Sequence, residues 1–235
     1  MNIAGVEKCS LVDWPGKMAA VVFAPGCNLN CHYCHNRESL CGSPQLIDRD
    51  SVLTLLEERR GFLDGVVISG GEPALQVGLP VFIDCVRDLG YPVKLDTNGT
   101  RPRVLESLLN SGRLSFVAMD IKAPRAKYDE VCGVSVDQEA IDDSIRAILR
   151  SGVAHEFRTT VLPRFTEEDI LEMAERVTGA ERYVLQPCRS PKGAPILEAY
   201  RTIRGMGEPS LLSERMSRQV KRCEARGMIH APMAV

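Results

Sequence analysis

The sequence predicts an α/β protein in the form of a partial (β/α)6 barrel, open on one side. Six short apolar runs alternate with five longer amphipathic segments, the pattern of parallel strands joined by right-handed helical crossovers. Six such units are too few for a closed eight-stranded barrel. No Pro/Ser-rich or low-complexity stretch divides the chain, and 235 residues, 44% of them hydrophobic, suffice for one large core. A single domain over 1–235 is expected, with its core at about 18–190 and a helical segment at about 195–230.

In chain order, strands are expected near 18–24, 65–69, 92–96, 115–120, 154–162 and 182–187, and helices near 48–61, 78–90, 101–112, 137–152 and 166–178. Asp48 stands where an N-cap is needed, and Thr166 with Asp169 three residues on forms a second helix start. Gly90, Gly112 and Gly152 mark C-terminal ends. The stretch from Glu208 to Arg226 reads as a helix that covers the barrel or meets a partner.

A formal net charge of −2 gives no basic surface, so nothing in the composition points to nucleic acid. Nothing at the N-terminus resembles a secretory signal, and the apolar run at 18–24 is far shorter than the ~20 residues that span a bilayer. A cytoplasmic protein with no membrane association is expected. Nine cysteines then fit a reducing compartment and metal ligation better than a disulfide framework.

Cys27, Cys31 and Cys34 stand in C-x3-C-x2-C spacing in the loop after the first predicted strand. Three thiolates from one short loop can hold three irons of a four-iron cluster and leave the fourth iron to an exogenous ligand. The same three with His32, His35 or Cys41 could instead make a four-coordinate structural zinc site. Cys9, Cys85, Cys132, Cys188 and Cys223 are scattered and read, with Cys41, as buried or incidental thiols. One metal site is expected.

The β-branched run at 66–69 ends in Gly70-Gly71-Glu72-Pro73. Paired glycines open the backbone to close approach by a ligand, and Glu72 offers an acceptor for an ammonium. The next strand runs through Asp96 into Thr97-Asn98-Gly99, where Asn-Gly by itself predicts only a turn. Met119-Asp120-Ile121-Lys122 places an acid and a base two residues apart, on one side by strand alternation. Buried charges need a partner or a charged ligand; an internal salt bridge with Asp96 is the purely structural account. All four motifs fall at C-terminal strand ends, the face where β/α barrels place active sites.

The cysteine loop, with Tyr33 just before its last cysteine, together with the GGEP segment resembles the signature of the radical S-adenosylmethionine (SAM) superfamily, whose core is a partial barrel of this type. The N-terminal run from Gly5 to Lys17, with Cys34-His35-Asn36, resembles the small glycyl-radical-enzyme activases. It is most similar to the activating proteins of anaerobic ribonucleoside-triphosphate reductase, in a group that includes the pyruvate formate-lyase activating enzymes.

The resemblance implies an oxidoreductase with one [4Fe-4S] cluster held by Cys27, Cys31 and Cys34, whose open iron is chelated by SAM. It implies Tyr33 near adenine, Gly70, Gly71 and Glu72 at the amino group, and Lys122 at the carboxylate, with Arg158 either reaching that carboxylate or simply pairing with an acid. Asp96, Thr97 and Asp120 match positions that bind a monovalent cation in pyruvate formate-lyase activases. Gln186 stands where related activases carry a histidine. The implied reaction is reductive cleavage of SAM, with flavodoxin or ferredoxin as electron donor, and hydrogen abstraction from a glycine of a partner glycyl radical enzyme. Two alternatives remain: a radical SAM enzyme acting on a small molecule, of the 7-carboxy-7-deazaguanine synthase type, and a non-enzymatic metal-binding redox sensor.

Overall fold

The computed structural model describes residues 1–34, 36, 37, 40, 42–189, 214–216 and 218–226. Eight strands form one sheet in sequential order: β1 (Gly5–Ser10), β2 (Ala19–Ala24), β3 (Gly65–Gly70), β4 (Val93–Thr97), β5 (Phe116–Asp120), β6 (Ala154–Val161), β7 (Tyr183–Pro187) and β8 (Cys223–Ala225). β1 pairs antiparallel to β2, and every later pairing is parallel. Among the described residues β1 and β8 are not paired with each other, so the sheet is not closed into a full barrel.

Among the described residues the crossovers from β2 to β7 hold α1 (Arg49–Glu58), α2 (Leu79–Asp88), α3 (Pro102–Asn110), α5 (Gln138–Ser151) and α6 (Glu167–Arg176), with the short α4 (Tyr128–Cys132) before α5. Each buries one apolar stripe at helical spacing, for example Phe82, Ile83 and Val86 of α2 or Ile141, Ile145 and Ile148 of α5. Those stripes pack on the outward side chains of the strands, among them Val66, Ile68, Val93 and Leu95. The helix starts have local causes. Asp48 accepts from Ser51 N at 2.9 Å, and Thr166 and Asp169 form a reciprocal capping box. At the far end of α5, Gly152 takes the left-handed conformation, φ 71°.

The six predicted strands and five predicted helices correspond to β2–β7 and to α1, α2, α3, α5 and α6. The sheet nevertheless has eight strands where six were expected. β1 lies in a run read only as a motif, and β8 lies in the stretch read as a helix from Glu208 to Arg226. Cys223–Ala225 instead pairs with Tyr183–Leu185, because a ladder offered by a neighbouring strand outweighs local helical preference. Of the same stretch, 214–216 is helical; 208–213 and 217, and most of the expected segment at 195–230, lie outside the described residues. Among the described residues no helix is long and apolar enough to cross a membrane.

The strands' inward side chains form a second, smaller cluster of Trp14, Ala19, Val21 and Val67, with Phe23 and Phe116 against it. Trp14 comes from the β1–β2 connection and is 3% exposed, so this connection plugs the end of the sheet opposite the strand C-termini. A Cβ added at Gly65 would lie 2.7 Å from the Trp14 ring and 3.1 Å from Pro92 O, too close for either to be left in place. Gly65→Ala should therefore cost about 1–3 kcal/mol of stability. Trp14 is the chain's one tryptophan, so urea unfolding followed by its fluorescence measures the loss directly; an unchanged midpoint would show that the plug yields freely.

Candidate active site

The loop after β2 and the end of β3 meet backbone to backbone. Gly71 N donates to Ala24 O at 2.9 Å, and Glu72 N to Gly26 O at 2.8 Å. A Cβ at Gly71 would lie 1.9 Å from Gly26 O, and one at Gly70 would lie 2.4 Å from Ala24 O. The paired glycines are thus required for the two chain segments to touch, which fixes where the cysteine loop begins.

Cys27, Cys31 and Cys34 all line one cavity of about 770 Å³ at the C-terminal ends of the strands, within the ~300–1,000 Å³ usual for small-molecule sites. Cys31 is buried, Cys27 partly so, and Cys34 exposed. Leu29 N lies 3.4 Å and Asn98 Nδ2 3.8 Å from Cys27 Sγ, two weak donors aimed at that sulfur. The neighbouring thiol of Cys132, with help from Lys122 and against burial, draws the Cys31 pKa down to about 6. Tyr33 also lines the cavity; its hydroxyl is buried without a hydrogen-bond partner, and burial raises its pKa.

Opposite the cysteines runs a chain of alternating charges. Lys94 Nζ lies 2.8 Å from Asp96, Arg158 bridges Asp96 at 3.2 Å and Asp120 at 2.9 Å, and Lys122 Nζ lies 2.8 Å from Asp120. Register places them: Asp120 of β5 is level with Arg158 of β6, and strand alternation turns Lys94 and Asp96 to one face. Burial pushes the Asp120 carboxyl up, but Arg158 and then Lys122 outweigh it and hold it below the usual carboxylate range. Asp96 is lowered in the same way, with Arg158 and Lys94 prevailing over burial. Lys122 is the mirror case, with burial opposed and overcome by Asp120, so its ammonium is held.

The expected internal pairing of Asp96 is real, but with Lys94 and Arg158. Asp120 and Lys122 pair with each other although β5 stops at Asp120. Gly70, Gly71, Asp96, Thr97, Asp120, Lys122, Arg158 and Gln186 all line the cavity. Glu72 does not. It is wholly buried, and its carboxylate accepts from Ala74 N at 3.0 Å, Thr97 Oγ1 at 2.8 Å and Asn98 N at 2.6 Å. Three of the roughly four acceptor sites of this carboxylate thus hold the short helix at Pro73–Leu75 and the turn after β4.

Sequence reasoning passed over Asn98, read as a turn residue, and Cys132, read as incidental. Asn98 joins the turn after β4 to the cysteine loop, reaching Asn28 Oδ1 at 3.1 Å as well as Cys27. Its place directly after a charged strand end was the available signal; nothing local marks Cys132. Among the described residues no three His, Cys, Asp or Glu side chains gather round one point. His35 and Cys41, invoked in the zinc alternative, lie outside the described residues. An all-thiolate set spread along a cavity wall, facing a cation-rich wall, fits a polynuclear iron-sulfur group with a charged ligand beside it.

The family model described as the Radical SAM superfamily matches residues 21–177. A protein of Methanocaldococcus jannaschii, assigned by inference as a glycyl-radical enzyme activating enzyme, is 35% identical over 190 residues, covering 78% of each chain. The pyruvate formate-lyase-activating enzyme of Clostridium pasteurianum is 29% identical over 202 residues, 79% of this chain and 81% of that one. Among solved structures, SuiB of Streptococcus suis superposes with a TM-score of 0.67 at 13% identity over 89% of this chain. That likeness is one of fold, and the chain spans about half (49%) of SuiB's length. Family membership implies SAM and a [4Fe-4S] cluster. On this match and these relatives the chain belongs to the radical SAM superfamily of enzymes and stands with its glycyl-radical enzyme activating group.

Proposed function

We propose that the protein cleaves SAM reductively and uses the product radical to take hydrogen from a glycine of a partner glycyl radical enzyme, the partner being anaerobic ribonucleoside-triphosphate reductase. The observation that carries this is the meeting of three motif thiols and a buried charge chain across one cavity. The similarity of the run from Gly5 to Lys17 to the activating proteins of that reductase supports the choice of partner. That run supplies β1 and the plug.

Cys27, Cys31 and Cys34 would hold the cluster. When bound and reduced, the cluster would supply the one-electron chemistry for reductive cleavage of SAM and so for hydrogen abstraction from the glycine Cα. Cys34, the exposed member, marks the side from which flavodoxin or ferredoxin would deliver that electron. Tyr33 offers its ring to adenine. The backbone at Gly70 and Gly71 meets the amino group, while Glu72 holds the turn carrying Thr97 and Asn98.

Lys94, Arg158 and Lys122 outnumber Asp96 and Asp120 by one charge. Lys122 and Arg158 retain N–H groups beyond those given to the aspartates, and these would take the SAM carboxylate. A monovalent cation beside SAM would have to displace Arg158 or Lys122 from carboxylates they already compensate. The apolar plug below and the charged wall together hold the reacting groups away from bulk water.

Anaerobic reconstitution and dithionite reduction, followed by assay of 5'-deoxyadenosine and of a glycyl radical by electron paramagnetic resonance, test the reading. Both should appear when the anaerobic reductase is present, and both should vanish in Cys31→Ala. SAM cleavage with no radical on the reductase would favour a small-molecule substrate. Lys122→Met removes a charge-assisted hydrogen bond of about 1.5–3 kcal/mol, so the KM for SAM should rise roughly 10-fold to 100-fold; an unchanged KM would remove Lys122 from the site. Glu72→Gln turns an amide donor toward backbone donors and should lower unfolding stability by ~1–3 kcal/mol in the absence of SAM. If stability holds while SAM affinity falls, Glu72 is a ligand after all.

A further inference from the structure

Cys132 belongs to none of the sequence motifs, yet it ends α4 directly behind the cysteine loop. Its side chain is fully buried, and Cys31 is 7% exposed. Both side chains belong to the same buried cluster, and the backbone around them is clamped. Asn30 N donates to Cys132 O at 2.7 Å. Gly133, in the left-handed region at φ 64°, sits so close that a Cβ there would lie 2.6 Å from Asn30 O. The residue before Cys31 and the residues at and after Cys132 thus form one rigid contact. Cys31 lines the cavity and Cys132 does not, so a small reagent entering the cavity meets Cys31 first, with the second thiol waiting behind it.

We propose that Cys31 and Cys132 form an oxidative modification site, in which a peroxide entering the cluster-free cavity oxidises Cys31 and Cys132 resolves it as a disulfide. The Cys31 sulfur attacks one peroxide oxygen, the O–O bond breaks, and sulfenic acid and one water result. The Cys132 sulfur then attacks the sulfenic sulfur, the S–O bond breaks, and a second water leaves with the Cys132 proton. The two sulfurs give up two electrons and the O–O bond accepts them. The link occupies the middle thiol of the loop, so cluster assembly would wait until a dithiol reductant reopens it. That consequence rests on the proposed role of Cys31 as a cluster ligand; the link itself does not.

The test uses the whole chain, stripped of iron by a chelator and checked for its fold by circular dichroism. After stoichiometric hydrogen peroxide, alkylation of remaining thiols and tryptic digestion without reductant, mass spectrometry should find peptide 128–146 joined to peptide 18–37. The joined pair should persist in Cys34→Ala and be lost in Cys31→Ala. Cys132 left alkylated while the loop cysteines oxidise among themselves would overturn the proposal, as would a link that survives in Cys31→Ala. The linked chain should take up far less iron and sulfide than the same sample after dithiothreitol. A linked chain that assembles the cluster as well as the reduced one would leave the modification site standing and sink the ligand role of Cys31.

Discussion

The site depends on one contact between two stretches of backbone, 24–26 after β2 and 70–72 at the end of β3. Two hydrogen bonds of 2.9 and 2.8 Å close it, and the absence of side chains at Gly70 and Gly71 lets it form. Everything above the sheet is referred to this seam. It starts the cysteine loop in a fixed direction, and it places Glu72 where its carboxylate gathers the turn after β4. That turn in turn reaches back through Asn98 to Cys27 and Asn28. Three strand ends are thereby tied into a ring of polar contacts around the cavity mouth.

The charge chain from Lys94 to Lys122 is the second expense of the site. Desolvating five ionised groups costs several kcal/mol each before pairing, and a hydrophobic filling of the same volume would be at least as stable. The arrangement is therefore one of specificity. Alternating signs let each aspartate be held ionised by two cations, and the excess cation leaves donors pointed at open space above the strands. Lys94 is the exception that anchors. Fully buried, it also donates to the Asp13 carbonyl and lies over the Phe116 ring at 5.8 Å, joining the active face to the Trp14 plug beneath.

Local signals were sufficient for β2 to β7, because each is a short apolar run bounded by a cap or a glycine and followed by an amphipathic helix. Asp48, Thr166 with Asp169, and Gly152 all act where the sequence places them. The site was legible to the extent that its residues are consecutive: the three cysteines, the glycine pair, Asp120 with Lys122. What was hidden depends on contacts distant in the chain. Glu72 could be identified as an acceptor, but its donors come from Thr97 and Asn98, and nothing near Glu72 announces them. Cys132 reaches Cys31 only because α4 folds beneath the loop, across a separation no spacing rule covers.

The last strand shows the same dependence most directly. Cys223–Ala225 has little preference of its own for extended structure, and it is held from the residue that follows it. Arg226 donates through its backbone to Leu185 O at 2.8 Å. Its guanidinium meets both oxygens of Glu156, at 3.2 and 2.9 Å. Glu156 is fully buried on β6, two residues from Arg158 on the same face, and Arg182 approaches it only at 4.0 Å, so the Arg226 guanidinium is its closest compensation. The need to neutralise an acid inside the sheet thus draws β8 onto β7, and through Arg226 and Glu224 it carries the cavity wall past the sixth parallel strand. Among the described residues, an ion pair between β6 and the chain's later part thus reinforces the last strand pairing.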